Sequence, residues 1–343
     1  MSGGMTMKKS GMAALACALL LLVLCLAVPD GQILWEAGDA LYTGGELPAM
    51  TWRPLPYGTG LAVSAVVAWA VAYGLARRRT ALLGAIRWLA WALALGILLA
   101  RFMYCVVEPS YYNPKWLSRL AAVRLWDGGM AMTGALAGML LAGKLAPERM
   151  GLFPVAAPIF LTGARLSEGF TQMGCGPSVG FEGLLARQAG YAVRLNVSLL
   201  EACTALVLLA CALMLPRWAA RRRLALTDGR RVQAFLILYG ITQIAMESLR
   251  KDRHMIWGFT KVQQILAIVM VLGALLALAQ GKAEKRRALL GTLCAAAPLV
   301  GLEFALDRAD VSVLLLYGAY GLVLLLYLCF AYRMFRRALS RQA

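Results

Sequence analysis

Charged side chains that lie inside apolar stretches are the first candidates for chemistry in this sequence. Arg165 and Glu168 stand three positions apart, and Gln243, Glu247 and Arg250 are spaced by four and three, so each set falls on one face of a helix. An arginine offers a phosphate a planar fork of N–H donors, and a carboxylate accepts a proton. The two sets predict a site that binds an anionic group beside a proton acceptor. The alternative for each set is a structural ion pair.

The glycine-rich run RLWDGGMAMTGALAG, residues 124–138, is a third candidate. Asp127 is its only acid, and its glycines, among them Gly134, allow a backbone to approach a ligand or another helix closely. The run predicts a polar turn at the start of a membrane helix. Close helix packing behind a capped helix start is the alternative.

Two further candidates, Tyr57 and Arg101, stand at the ends of apolar stretches. Both residue types are common where a helix meets the membrane surface, since tyrosine prefers the interface and arginine extends its charged end toward water. Two interpretations are therefore open for each residue: it lines a polar cavity, or it simply lies at the membrane interface.

The composition predicts that membrane helices position these residues. Of the 343 residues, 61% are hydrophobic and 15% are charged, and the mean hydropathy is +0.69, which excludes an ordinary soluble domain. Apolar runs approach the roughly 20 residues needed to cross a bilayer. We expect an all-α polytopic integral membrane protein with about ten transmembrane helices, over residues 11–28, 57–76, 80–105, 127–146, 151–170, 196–215, 232–249, 260–280, 288–306 and 311–332.

The net charge of +18 is distributed as a membrane topology requires. Lysines and arginines cluster between alternate spans, where the positive-inside rule places cytoplasmic loops, so both termini are expected in the cytoplasm. The same distribution argues against nucleic acid as a partner. The first span follows Lys8 and Lys9 as a signal peptide would, but Val28-Pro29-Asp30 is a poor cleavage site, which predicts an uncleaved anchor.

The eight cysteines give no sign of a metal site. Most of them lie inside apolar spans and lack the paired spacing of metal ligands. They are predicted to be small core residues, and the sequence indicates neither a metal nor a cofactor.

Taken in order, the motifs resemble those of the bacterial prolipoprotein diacylglyceryl transferases. WDGGM at residues 126–130, followed by Gly134, is similar to the family's Trp-Asp-Gly-Gly-Met-Ser-Phe-His-Gly-Gly-like segment. Tyr239-Gly240 with Glu247 and Arg250 is similar to its Tyr-Gly-x-x-Arg-x-x-x-Glu-x-x-Arg pattern. The remaining matches, which extend the resemblance from the second span to the eighth, are Tyr57, Arg101, Tyr104, Arg165, Gly176, Glu201 and Gln264.

Five positions depart from the family pattern, and two of them, Ala164 and Gln263, replace glycines. The other three affect the expected chemistry. The family's functional histidine falls on Thr133, and the first arginine of its second helical motif falls on Gln243. Glu168 stands where the family has an asparagine, which changes both charge and donor capacity in a segment expected to recognise the lipid head group. A proton acceptor other than the missing histidine is needed, and Glu168, Glu247 and the single histidine, His254, are the candidates.

The resemblance implies transfer of a diacylglyceryl group from phosphatidylglycerol to the lipobox cysteine of a prolipoprotein, with release of glycerol phosphate. It implies no cofactor, and it implies a multi-pass protein of the bacterial plasma membrane that works among membrane lipids with its active site toward the outer leaflet. The catalytic candidates are Arg165, Glu168, Glu247, Gln243 and Thr133. The substrate-binding candidates are Tyr57, Arg101, Asp127, Gly134, Gly176, Glu201, Tyr239 and Arg250.

The chain is expected to extend the family's membrane core at both ends. We predict an anchor helix in residues 1–30, an outer segment in 31–56, a seven-helix transferase-like core in 57–281, and two further helices with a basic tail in 282–343.

Two other functions stay open. The departures at Thr133 and Gln243 favour a lipid-binding pseudoenzyme or accessory membrane protein. A transporter of an anionic lipid or metabolite is the third hypothesis, because charged residues inside membranes also mark transport pathways. The sequence shows no pair of interrupted helices of the kind that transporters use.

Overall fold

The computed structural model describes most of the chain, including every predicted span in whole or in part. The described residues are 2–27, 56–76, 81–107, 130–145, 147–171, 173–189, 192–251, 256–257, 260–308 and 312–341. Asp127, His254 and nearly all of the predicted outer segment 31–56 lie outside them.

Ten α-helices form this part of the chain, and each overlaps one predicted span. They are α1 (Ser2–Ala27), α2 (Pro56–Ala76), α3 (Leu82–Val107), α4 (Met132–Leu145), α5 (Phe153–Ser167), α6 (Val197–Arg221), α7 (Asp228–Leu249), α8 (Val262–Leu278), α9 (Lys282–Arg308) and α10 (Val313–Ser340). Two 3₁₀ helices, Pro147–Leu152 and Glu168–Phe170, flank α5.

Seven of the helical segments in the described residues are long and apolar enough to cross a bilayer. The apolar stretches in α1, α4 and α8 are shorter, at Met12–Cys25, Met132–Leu145 and Val262–Leu278. The prediction of an all-α polytopic membrane protein is therefore confirmed, and the count of ten crossings stays a prediction.

Short strands, which the sequence analysis did not predict, connect some of the helices. β1 (Cys175–Ser178), β2 (Ala186–Ala189) and β3 (Ala192–Asn196) form an antiparallel sheet in the order β1-β3-β2. A second antiparallel pair, β4 (Ile256–Trp257) and β5 (Thr260–Lys261), precedes α8. Strands of two to five residues are too short to show the alternation that identifies a strand in a sequence.

Local signals set several helix ends. Asn196 precedes α6, and its side-chain oxygen accepts a hydrogen bond from the backbone N–H of Leu199 at 3.2 Å. Thr227 precedes α7 and accepts one from the N–H of Arg230 at 3.3 Å. Both are N-caps, which satisfy N–H groups that the first turn of a helix leaves without an intrahelical partner.

The chain forms two compact units, Met1–Leu206 and Val207–Ala343, and the boundary between them falls within α6. In the first unit, a buried apolar cluster draws on α1, α2, α3 and α5, with Leu61, Leu89 and Ala164 among its members. In the second unit, the apolar core draws on α7, α8, α9 and α10.

Small residues bring α2 and α5 into close antiparallel contact. A Cβ atom built on Gly60 would lie 2.1 Å from Ser167 Oγ, and one built on Gly163 would lie 2.1 Å from Ser64 Oγ. The two serines donate to carbonyls of their own helices, Ser64 to Gly60 at 2.6 Å and Ser167 to Gly163 at 2.7 Å. This reciprocal glycine–serine crossing fixes the part of α5 that carries Arg165.

Glycines also set the contact between α3 and α4. A Cβ atom on Gly134 would lie 2.3 Å from the carbonyl oxygen of Leu99, and one on Gly138 would lie 2.4 Å from the backbone nitrogen of Gly96. Gly134 therefore serves the close helix packing that the sequence analysis gave as its alternative, and its contact with substrate stays a prediction. This crossing brings the start of α4 against the end of α3, where Arg101 lies.

Candidate functional site

Arg165 lies near the end of α5 between two buried carboxylates. Its Nη1 donates to Glu168 Oε1, and its Nε lies 3.1 Å from Glu201 Oε2 on α6. All three side chains are at least nine-tenths buried. With all three groups ionised, this cluster, called the carboxylate–arginine triad below, carries one net negative charge. The sequence placed Arg165 and Glu168 on one helix face, but only the fold brings Glu201 to them.

The turn that follows Glu168 fits closely around the triad. Gly174 has a positive φ of 75°, a conformation that favours glycine, and a Cβ atom at this position would lie 2.8 Å from Glu168 Oε2. Arg187 in β2 donates to the carbonyl oxygens of Glu168 at 3.2 Å, Met173 at 3.1 Å and Gly169 at 3.3 Å. The sequence analysis missed Gly174 and Arg187 as parts of the site. A glycine six positions after Glu168 was the available signal for the first, and nothing in the sequence pointed to the second.

Four more predicted residues lie at the end of the first unit that holds the triad. Tyr57 lies in the first turn of α2, near the contact between Gly60 and Ser167. Arg101 lies near the end of α3, beside the start of α4, which holds Thr133 and Gly134. Arg101 has no solvent exposure, and its guanidinium carbon lies 5.9 Å from the centroid of the Tyr104 ring. Thr133 is buried as well. We call the end of the first unit that holds the triad, Tyr57, Arg101, Thr133 and Gly134 the polar end.

An apolar cavity extends from the polar end into the helices of the first unit. It contains about 720 Å³ of empty space, a figure that includes the part open to the surroundings. Its walls come from α1 to α5 and the two residues before α4. At the polar end it is lined by Tyr57, Ala100 and Met132, and at the opposite end by Trp69 and Trp88.

In the second unit, the predicted residues of α7 form a different arrangement. Gln243 Nε2 donates to Glu247 Oε1 at 2.8 Å, and both side chains are buried. Tyr239 is buried one turn earlier and stacks on Phe235 with 5.8 Å between ring centroids. Arg250 is buried at the C-cap of the same helix. The polar face that the sequence predicted for α7 is therefore present in the structure, and the neutral amide of Gln243 lies at its centre.

Lys261 stabilises the end of α7. Its Nζ donates to the carbonyl oxygens of Glu247 and Arg250 and lies 3.4 Å from that of Ser248. A cation at this place satisfies carbonyls that the last turn leaves without partners and interacts favourably with the helix dipole. The sequence analysis did not identify Lys261, because its role depends on β5 returning the chain to the end of α7.

Of the two helices predicted as C-terminal additions, α10 contacts α7 and α9 contacts α8. Tyr320 in α10 donates to the carbonyl of Ile244 at 3.4 Å, and Tyr317 donates to that of Ser248 at 3.3 Å. Gln264 in α8 donates to Glu303 in α9 at 2.5 Å. Helix α10 therefore supplies polar contacts to the segment that carries Glu247, and α9 supplies one to the neighbouring α8.

Two of the predicted site residues remain to be placed. Gly176 is buried in β1, next to the turn that encloses Glu168. Asp127 lies outside the described residues, so its role stays a prediction. The described residues contain no group of three or more histidine, cysteine or acidic side chains placed to hold a metal ion.

The comparison with protein families accounts for the order of the motifs. The family model for prolipoprotein diacylglyceryl transferase matches residues 51–280, which is more than half of the chain. No curated protein matches the sequence. The family consists of membrane transferases of lipoprotein biosynthesis, in agreement with the apolar helices described above. The chain therefore belongs to the prolipoprotein diacylglyceryl transferase family.

Proposed function

We propose that this protein transfers a diacylglyceryl group from phosphatidylglycerol to the cysteine thiol of a lipoprotein precursor at the outer face of the bacterial plasma membrane. The observation that carries the proposal is the buried carboxylate–arginine triad. It lies at the polar end of the first unit, from which the apolar cavity extends between the helices. A charged cluster beside an apolar cavity suits a substrate with an anionic head group and hydrocarbon chains.

The reaction needs a thiolate, a leaving phosphate and a place for one proton. The sulfur attacks the carbon of the diacylglyceryl group that is bonded to the phosphate oxygen. A C–S bond forms, and the bond between that carbon and the phosphate oxygen breaks. Glycerol phosphate takes the bonding electron pair and leaves. The thiol proton passes to the protein, so an acceptor must stand within hydrogen-bond reach of the sulfur.

The triad supplies such an acceptor in place of the histidine missing at Thr133. Its two carboxylates face one guanidinium, so uptake of one proton converts a buried net charge of −1 into a neutral arginine–carboxylate pair. Glu168 is the proposed acceptor, Arg165 holds it in place, and Glu201 retains the charge that balances Arg165.

Arg101 is the proposed phosphate-binding cation. Two carboxylates surround Arg165, and their charges oppose the approach of a phosphate to it. Arg101 is a buried cation in the helix turn that forms the polar end of the cavity. A cation there stabilises the charge that develops on the leaving phosphate.

Mass spectrometry of a lipobox peptide incubated with the purified protein and phosphatidylglycerol tests the proposal. We expect a diacylglyceryl mass gain with the wild-type protein, none with Arg165→Ala, and a loss of at least about a hundredfold with Glu168→Gln, the usual scale for removing a proton acceptor. Glu168→Gln should still bind the lipid. Full activity in Arg165→Ala would refute its role.

A second candidate function, a lipid-binding pseudoenzyme, is favoured by one observation: Thr133 and Gln243 stand at the two positions where the family carries a histidine and an arginine. Phosphatidylglycerol that stays bound and intact in the same assay would support this function. The double variant Thr133→His/Gln243→Arg distinguishes a decayed active site, which would gain activity, from a site built for binding alone.

Flux of lipid across the membrane of liposomes that contain the protein, without modification of the peptide, would indicate a transporter.

A further inference from the structure

We propose that the apolar cavity of the first unit holds one acyl chain of a phospholipid, and that the indole rings of Trp69 and Trp88 determine the longest chain it accepts. The proposed function supplies the identity of the head group, and the chain-length argument rests on the cavity itself.

The depth of the cavity fits one chain of one leaflet. Its lining on α2 runs from Tyr57 to Trp69, and its lining on α3 runs from Ala100 back to Trp88. Each stretch advances by twelve positions, about 18 Å at 1.5 Å per residue. Half of a hydrocarbon core of roughly 30 Å is about 15 Å, so the cavity is as deep as the layer that an acyl chain occupies.

The chemistry of the lining fits a hydrocarbon rather than water. The described residues that line the cavity are alanine, leucine, isoleucine, methionine, glycine and aromatic residues, without a charged side chain. Water needs two or more polar partners to occupy a cavity, whereas an acyl chain gains free energy from leaving water.

Two tryptophans line the end of the cavity away from the polar end. Trp69 Nε1 donates to the carbonyl oxygen of Ala85 at 2.9 Å, which ties α2 to α3, and its ring stacks on Tyr73 with 5.8 Å between centroids. Trp88 has a relative exposure of 1%. Rings held in this way form a fixed end wall, and a fixed wall discriminates by length because an additional methylene group has no space.

The polar end of the cavity carries the charge that a lipid head group needs. Arg101 directly follows the lining residue Ala100 on α3, and Arg165 lies five positions after the lining residue Phe160 on α5. A phospholipid with its phosphate near Arg101 therefore has one chain directed toward the tryptophans.

Helix α1 completes the wall. Leu24 lines the cavity, although α1 precedes the part of the chain that the family model matches. The N-terminal helix therefore contributes one residue to the wall of the proposed acyl-chain cavity.

Native mass spectrometry with mixed phospholipids tests the proposal without requiring catalysis. The purified full-length protein is incubated with equimolar phosphatidylglycerols of graded saturated chain length, and in a parallel sample with phosphatidylethanolamines of the same lengths. In the wild type, we expect occupancy to fall about tenfold for each methylene group beyond a maximum length.

Three variants locate the limit. Trp88→Leu should shift the maximum to longer chains, and it removes no hydrogen bond, since Trp88 Nε1 has no partner among the described residues. Ala92→Leu adds bulk one turn closer to the polar end and should shift the maximum to shorter chains. Trp91→Leu is the matched control on the same helix, with 49% exposure and no part in the lining, and should leave the maximum unchanged.

The outcomes separate this inference from the proposed function. Unchanged length preference in both Trp88→Leu and Ala92→Leu, with phosphatidylglycerol still bound, would overturn the length limit and leave the proposed function intact. Opposite shifts with phosphatidylethanolamine bound and phosphatidylglycerol rejected would support the length limit and contradict the proposed donor. Because Ala92→Leu keeps Trp88, it tests the proposal even if Trp88→Leu does not fold.

Discussion

The two units of this protein neutralise buried acidic side chains in different ways. In the first unit, Glu168 and Glu201 share the guanidinium of Arg165. In the second, Glu247 accepts a hydrogen bond from the neutral amide of Gln243. An arginine between two carboxylates leaves one net negative charge, whereas an amide beside a carboxylate leaves that carboxylate's charge to be met by other contacts.

This difference supports the proposed placement of the proton acceptor in the first unit. In the triad, both carboxylates are paired with the same guanidinium. The Gln243–Glu247 pair is joined to a helix end that Lys261, Tyr317 and Tyr320 stabilise through carbonyl groups. We therefore assign the reactive role to the first unit, and we expect the α7 cluster to act mainly through the position of its helix.

The largest expected effect comes from removing the shared cation. Arg165→Met should lower the free energy of unfolding by about 3–5 kcal/mol, because it leaves two carboxylates buried without their common partner. Thermal unfolding in detergent, followed by circular dichroism, measures this loss. A midpoint equal to that of the wild type would show that the triad does not stabilise the first unit and would remove the contrast between the two clusters.

A smaller effect is expected from removing the amide in the second unit. Gln243→Leu takes a donor away from the buried Glu247 carboxylate and should cost about 1–3 kcal/mol. Gln243→Arg is the informative partner variant, because it replaces the neutral amide beside Glu247 with a guanidinium, as in the first cluster. If Gln243→Leu costs as much as Arg165→Met, the amide is as important as the arginine and the comparison fails.

Lys261 should contribute less, and only locally. Lys261→Met removes a cation from the end of α7 and should cost about 1 kcal/mol. Hydrogen–deuterium exchange measured by mass spectrometry should show faster exchange in the last turn of α7, in peptides that cover residues 244–251. Equal acceleration throughout the second unit would instead indicate a general loss of packing.

The smallest effect is expected at an exposed pair with the same spacing as Arg165 and Glu168. Arg231 Nη1 lies 3.1 Å from Asp228 Oδ1, but the Asp228 side chain is 51% exposed. Arg231→Ala should change the free energy of unfolding by less than about 1 kcal/mol, since water already solvates the Asp228 carboxylate. In urea titrations, a loss comparable to that of Arg165→Met would show that spacing, rather than burial, governs these pairs.

Several features of the site were predictable because they depend on local sequence. The spacing of Arg165 and Glu168, and of Gln243 and Glu247, is enough to place each pair on one helix face, and both pairs form hydrogen bonds in the structure. The alternative reading of Gly134 as a packing residue was also available from its type. In contrast, the partnership of Arg165 with Glu201, 36 positions away, has no local signature.

By itself, the sequence determined the helical membrane fold, the family and most of the polar residues worth testing. Apolar runs and charge distribution act through short-range physical rules, and the ordered motifs needed no coordinates. Only the tertiary structure decided that two carboxylates share one guanidinium, that Gly174 and Arg187 enclose Glu168, that Lys261 caps α7, and that an apolar cavity ends at Trp69 and Trp88. The physical reason is that charge neutralisation and cavity shape depend on side chains far apart in the chain, and helix packing alone brings them together.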